Sequence, residues 1–193
     1  VTRRLRGCGK CSARDSVSEV TQILRLNVER AHEQLEALIE LLSDAVQSGA
    51  SVGFVQPLEQ PEARTYWQGV IAELERDSRV LLIAELDGRT VGTGQLILES
   101  RANAGHRAEV SKVLVHSTAQ RRGIGRALMQ ALEREALSRG RTLLHLDTRA
   151  GDHSEALYKA VGYTLIGGIP NWARHPAHDV LEANAIYYKV IQP

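Results

Sequence analysis

The stretch richest in chemistry is Val113-Leu-Val-His-Ser-Thr-Ala-Gln-Arg-Arg-Gly-Ile-Gly-Arg-Ala-Leu-Met129. An apolar β-type run ends near Val115, and helical periodicity starts at Gly123, so a short loop must turn strand into helix. The first N–H groups of a helix have no partner inside it, and the helix dipole makes that end positive. Gly123 and Gly125 lack a Cβ, so the spacing predicts that a ligand approaches this backbone closely. Gln120 leads into the turn, and Arg121, Arg122 and Arg126 surround it with fixed positive charge. Such a turn suits a pyrophosphate. An ordinary β-α turn with solvated arginines is the plain alternative, because short Gly-x-Gly patterns are common. A dinucleotide-binding turn does not fit: Leu128 stands where G-x-G-x-x-G needs its third glycine, and the turn follows a meander.

Two carboxylates could serve as a base. Glu109 opens an otherwise apolar strand, and a carboxylate among apolar neighbours has its pKa raised toward the range a base needs. An edge ion pair with Arg107 or Lys112 is its other reading. Asp147 ends a later strand, where a turn or capping role competes with catalysis. His145 alternates with Asp147 and should share its face, as packing or support.

The elements that must position these groups follow from periodicity. The chain has 193 residues, enough for one packed domain. Aromatic residues make up only 4%, so aliphatic side chains must fill the core. A formal net charge of +1 gives no global reason to expect nucleic acid or an acidic membrane as partner. No apolar run reaches the roughly 20 residues that span a bilayer, and the basic start lacks a secretory apolar stretch, so the cytoplasm is expected. Residues 1–18 are expected to be a disordered tail, and 19–193 the domain. Cys8 and Cys11 are spaced C-x-x-C, but no second Cys/His pair follows at finger spacing and no strand precedes them. A reduced pair in the tail, with no metal, is expected.

Gln22 to Leu26 reads as a first strand, with Asn27 as the cap of a helix whose stripe runs Ala31, Leu35, Leu38, Ile39, Leu42 and Val46. Ser48-Gly49 ends it, and a second helix runs from Pro61 to about Asp77. Val80–Ala84 and Thr90–Leu98 flank the hairpin signal Asp87-Gly88. Gly92 and Gly94 mark a bulge or a close backbone approach. Ala108–Val115 is the next strand, Gly123–Ser138 a helix stopped by Gly140, and Thr142–Thr148 a strand. A short helix Ser154–Val161 and strands Tyr163–Ile169 and Asn184–Ile191 close the chain. The order β-α-α-β-β-β-α-β-α-β-β implies an α/β (α+β) domain. Its central sheet is mixed and mostly antiparallel, with helices on both faces and one parallel β-α-β crossover.

Gln120-Arg-Arg-Gly-Ile-Gly125 matches the Q/R-x-x-G-x-G/A motif, and Leu157-Tyr-Lys-Ala-Val-Gly-Tyr163 matches a second signature, of the GNAT superfamily of N-acetyltransferases. The resemblance covers nearly the whole chain from about Gln22. It looks closer still to the tabtoxin resistance acetyltransferases, through Gly49-Ala-Ser-Val-Gly-Phe54, Arg107-Ala-Glu-Val110, Leu143-Leu-His-Leu-Asp-Thr148, Ala150-Gly151 and Ala185-Ile-Tyr-Tyr188. It implies acetyl-CoA as cosubstrate, with Val113, Val115, Gln120, Arg121, Arg122, Gly123, Gly125, Arg126 and Ser154 in contact with it. It implies Tyr158 as the acid that protonates the departing thiolate. Asp147, at the gap where two strands part, comes ahead of Glu109 as the base. An oxyanion would meet a backbone N–H near Val113 or Leu114. Phe54, Tyr66, Trp67, Trp172 and Tyr187 are expected to wall an amine pocket. Two departures stand out: Ser117 replaces a common proline, and Asp152-His153 lies near where many members carry an Asn that touches the cosubstrate. The acceptor expected is a small-molecule amine, an amino-acid-like toxin or antibiotic among the candidates, and a homodimer is compatible with the resemblance. The competing functions are an acyl-CoA-binding sensor or scaffold without turnover, and a protein N-acetyltransferase.

Overall fold

A computed structural model describes residues 21–192; the expectations for residues 1–18, including Cys8 and Cys11, lie outside the described residues. Strand β1 (Gln22–Arg25) leads into α1 (Val28–Glu33), whose cap is Asn27: its side chain accepts from the Arg30 N–H at 2.9 Å. The expected single helix after Asn27 is interrupted. Chain geometry leaves the helical region at Gln34, and α2 (Leu35–Gln47) follows. Gln34 is pulled toward the sheet, where its side-chain oxygen accepts from the Thr90 hydroxyl at 2.8 Å. The break keeps the apolar stripe in phase, with Leu38, Ile39, Leu42 and Val46 buried, so periodicity could not reveal it.

Helix α3 (Gln60–Glu75) carries Pro61 in its first turn, where no intrahelical N–H is lost. Strands β2 (Arg79–Leu86) and β3 (Arg89–Leu98) form the expected hairpin. Asp87 and Gly88 both take positive φ, the geometry a two-residue turn needs. Then come β4 (Arg107–Val115), a single 3₁₀ turn at Ser117–Ala119, α4 (Ile124–Ser138), β5 (Leu143–Arg149) and α5 (Ser154–Ala160). The chain finishes with β6 (Thr164–Gly167), a ribbon of β7 (Ala173–Arg174) and β8 (Leu181–Glu182), and β9 (Asn184–Val190). The ribbon has two residues a side, too short for an alternating pattern, and was not expected.

The seven-stranded sheet runs β1-β2-β3-β4-β5-β9-β6, and only β4 and β5 pair in parallel. Helices cover both faces. On one, α1, α2 and α3 bury Leu38, Leu42, Trp67 and Ile71 against Leu81, Ile83 and Leu114. On the other, α4 buries Leu128 and Leu132 against Leu82, Leu96, Val110 and Leu146, and α5 adds Tyr158. Both glycines of β3 do what their type suggested. A Cβ on Gly94 would lie 2.9 Å from Leu132 Cδ1, and one on Gly92 would lie 3.0 Å from the Leu114 carbonyl. A register shift between Thr93 and Gln95 also places a bulge opposite them in β4.

Candidate functional site

The sheet opens where β4 and β5 meet. Their parallel pairing runs from Arg107↔Leu143 to Glu109↔His145 and goes no further. The outer edges stay fastened: β4 pairs β3 as far as Val115, and β5 pairs β9 as far as Arg149. With outer edges held and inner edges released, the strands splay into a V. The bulge bends β4 at the mouth of that V, where Lys112 holds φ +50°, uncommon for a residue with a side chain. A cleft of about 810 Å³ fills the gap, within the size range of small-molecule and cofactor sites.

At one end of the cleft stands the start of α4. Its N-cap, Gly123, is left-handed at φ +81°, and Arg121 is left-handed at φ +62°. The helical ladder begins with the Ala127 N–H on the Gly123 carbonyl at 3.0 Å, so the N–H groups of Ile124, Gly125 and Arg126 precede it. Gln120, Arg121, Gly123, Gly125 and Arg126 line the cleft together with Val113 and Val115 of β4. Gln120 is steadied by donating from its amide to the Val115 carbonyl at 3.2 Å. Arg122 is exposed beside them. The two glycines differ in purpose. Gly123 supplies the left-handed turn, and a Cβ there would meet nothing within 4 Å. Gly125 also lines the cleft, and there a Cβ would lie 3.1 Å from Leu157 Cδ2, so its lack of a side chain brings α4 against α5 as well.

On the opposite wall, Ser154 opens α5. Its N–H donates to Asp152 Oδ1 at 2.8 Å, and its hydroxyl lies 2.9 Å from the Thr148 hydroxyl. Tyr158, one turn on, lines the cleft while being 8% exposed, with Tyr163 and Tyr187 rings packed 6.3 and 5.9 Å from its own. Burial pushes its phenol up to about 12, helped by the charges of Asp152 and Asp147 and opposed by a hydrogen bond with Ser154. It therefore stays protonated at any physiological pH. Burial alone would raise Asp152, but the Ser154 hydrogen bonds and the charges of His153 and Arg149 hold it below the ordinary value. Arg149 clamps this wall, reaching Asp152 at 3.0 Å, the Gly49 carbonyl at 3.2 Å and Glu182 at 3.4 Å.

Asp147 is exposed into the same cleft, and Asn184 donates to its Oδ2 at 3.2 Å. Glu109 stands elsewhere: with His145, Arg107 and Glu99 it lines a smaller hollow of about 420 Å³. Of the expected aromatic wall, only Trp172 lines the cleft. Trp67 and Tyr187 are both 0% exposed, because their faces of α3 and β9 turn into the cores. Phe54 and Tyr66 meet edge to face at 5.4 Å beside the mouth. Sequence reasoning missed Lys112, Arg149 and Asn184. A lysine inside an apolar strand was the one available signal, and only for the first. Among the described residues, no cluster of His, Cys, Asp or Glu is placed to hold a metal, and no helix is long and apolar enough to cross a membrane.

Residues 35–163 match the family model described as the acetyltransferase (GNAT) family. The chain is 34% identical over 117 residues to an uncharacterized N-acetyltransferase in the hisH-hisA intergenic region of Azospirillum brasilense, covering 60% of this chain and 68% of that protein. Among solved structures, yncA from Salmonella typhimurium with its cofactor acetyl-CoA superposes with a TM-score of 0.73 at 18% identity, covering 90% of this chain and 95% of that one. A ribosomal-protein-alanine N-acetyltransferase from Brucella melitensis does so with a TM-score of 0.72 at 24% identity, covering 88% and 99%. At these identities the structures are alike in fold.

Proposed function

The chain belongs to the acetyltransferase (GNAT) family, acetyl-CoA-dependent enzymes, and from that premise we propose that it acetylates the amine of a small, amino-acid-like molecule. The observation that carries the reading is one cleft holding three things: a helix start built for a diphosphate, a buried phenol and an accessible carboxylate. The left-handed Gly123 cap and the adjacent guanidinium groups fit coenzyme A, with Val113, Val115, Gln120 and Ser154 along its path. Bound there, acetyl-CoA supplies an activated acetyl thioester.

The chain's own groups do the rest. An aliphatic amine has a pKa of about 10, so only about one molecule in a thousand is unprotonated at pH 7. Asp147, steadied by Asn184, takes the surplus proton directly or through water. Glu109 is the weaker candidate because it borders the other hollow. Tyr158 donates a proton to the departing sulfur, a role suited to a phenol that stays protonated. The candidate donor to the carbonyl oxygen is the Val113 backbone N–H, because Leu114, in register with Thr93 and two residues before the His116 N–H that donates to the Val91 carbonyl, turns its own toward β3. Holding amine and thioester between two fixed strands contributes as orientation.

The segments resembling tabtoxin resistance enzymes support a small acceptor. Two of them, Gly49–Gly53 and Asp147-Thr148, line the cleft. A homodimer belongs to the same reading, supported by the exposed Leu165 and Ile166 on the edge strand β6. The test is thiol release from acetyl-CoA over a panel of amino acids, simple amines and peptides, with product masses. Acetylated small amines are expected. Coenzyme binding without thiol release on any amine would leave a sensor, and acetylation of peptides alone would make it a protein-modifying enzyme.

A further inference from the structure

The described residues include three lysines. Lys159 pairs with Glu155 at 3.3 Å and Lys189 with Glu133 at 2.8 Å. Among the described residues Lys112 has no carboxylate partner and no hydrogen bond, and its one ring contact is Tyr66, whose centroid lies 5.6 Å from Nζ. Its backbone is strained, at φ +50° in the β4 bulge, and such strain collects at functional sites. The Gly53 backbone passes close above Nζ, at 3.8 Å from where a Cβ would stand. Lys112 therefore occupies a half-buried niche in the wall of the cleft, between the Gly49–Gly53 loop and Tyr66.

The groups facing it are mixed. Arg79 adds positive charge from behind, and Glu109 and Asp147 add negative charge from a distance. Arg79 is itself occupied by Glu73 at 2.5 Å and by Gln95, which in turn bonds Tyr66. A cation that is half desolvated and left without a counter-ion is costly unless an anion arrives. Asp147 stands on the facing strand, across the V. A plain monoamine entering this space is attracted by Asp147 and repelled by Lys112. A molecule carrying both signs satisfies both walls.

We infer that Lys112 and Asp147 select a zwitterionic acceptor, a primary amine that also carries a carboxylate, with the carboxylate on Lys112 Nζ and the amine toward Asp147. The inference rests on the acetyltransferase reading and narrows its acceptor class. Burial holds the Lys112 ammonium below the ordinary lysine value, so the preference fades with rising pH sooner than a surface lysine would allow.

The probes are amino acids, each paired with its own carboxamide, assayed by thiol release and by calorimetry on the coenzyme-loaded protein. Wild type should use or bind acids in preference to amides. Lys112→Asn suits the test because Asn tolerates a left-handed backbone and removes the charge. It should raise KM for acids by roughly ten- to a hundredfold, the loss of one charged hydrogen bond, while KM for amides falls or stays level as the repulsion is removed and KM for acetyl-CoA is unchanged. Equal use of acids and amides by wild type overturns the inference, as does a panel on which no acid is bound or acetylated. So does a Lys112→Asn variant whose kcat falls equally on both classes, which would make the lysine part of the chemistry. Absence of acetyl-CoA binding would instead sink the acetyltransferase reading itself.

Discussion

Replacing Tyr158 by Phe removes one hydroxyl from a well-packed wall and should leave the fold in place. The ring keeps its contacts with Tyr163 and Tyr187. What is lost is a proton donor, and general-acid catalysis contributes about 10²–10⁴-fold, so kcat at pH 8 should fall by that factor. Affinity for acetyl-CoA should change little. The phenol also has a thermodynamic signature. Its pKa rises from 10.0 to about 12 on folding, so the native state holds the proton more tightly than the unfolded chain does. The linked stability is about 3 kcal/mol, present in full below pH 10 and lost as pH climbs from 10 to 12. Urea midpoints between pH 8 and pH 12 should fall less steeply for Tyr158→Phe than for wild type. Other tyrosines also titrate high, so the difference between the two proteins is the quantity to read. An unchanged kcat would refute the assignment. So would a descending limb of kcat centred near pH 8 or 9 that vanishes in the variant, because a buried phenol cannot titrate there.

Asp147→Asn should lower kcat/KM by about 10²–10⁴-fold, the contribution of a general base, and leave acetyl-CoA binding intact; an unchanged kcat/KM would return the role to Glu109. Gly168→Ala should lower stability by about 1–3 kcal/mol or more, read as a fall in Tm, because the added methyl would overlap the Asn184 carbonyl oxygen. An unchanged Tm there would mean that the crossing of residues 168 and 184 is looser than described.

The fold was legible because its main signals are local and mutually consistent. Asn27, Asp87-Gly88 and Gly140 each cap or turn the chain as their types suggest. The turn proposed to hold a diphosphate stood out in the sequence for the same reason, since glycine spacing and arginine clustering lie within seven residues. What escaped depends on tertiary register. Gln34 breaks a helix for a hydrogen bond to Thr90, 56 residues away. Trp67 and Tyr187 point into the cores, which side they face being fixed by packing and not by residue type. Lys112 becomes notable only through a bulge that sets it beside Tyr66, with no carboxylate partner among the described residues. Glu109 and Asp147 both sit on the splayed strands, but one falls below the point of parting and the other above it.

The most direct test is calorimetry comparing coenzyme A with pantetheine, which has the same thiol arm but lacks the diphosphate and the phosphorylated adenosine beyond it, on wild type and on Gly123→Val, where the variant isolates the diphosphate share. The left-handed cap at φ +81° cannot be held by a β-branched residue without strain, so the variant should lose the oriented amides. Strong uptake of coenzyme A by wild type, weak uptake of pantetheine, and a collapse of the difference in the variant are expected. Equal affinity for the two ligands, or a variant that binds coenzyme A as tightly as wild type, would contradict the diphosphate site.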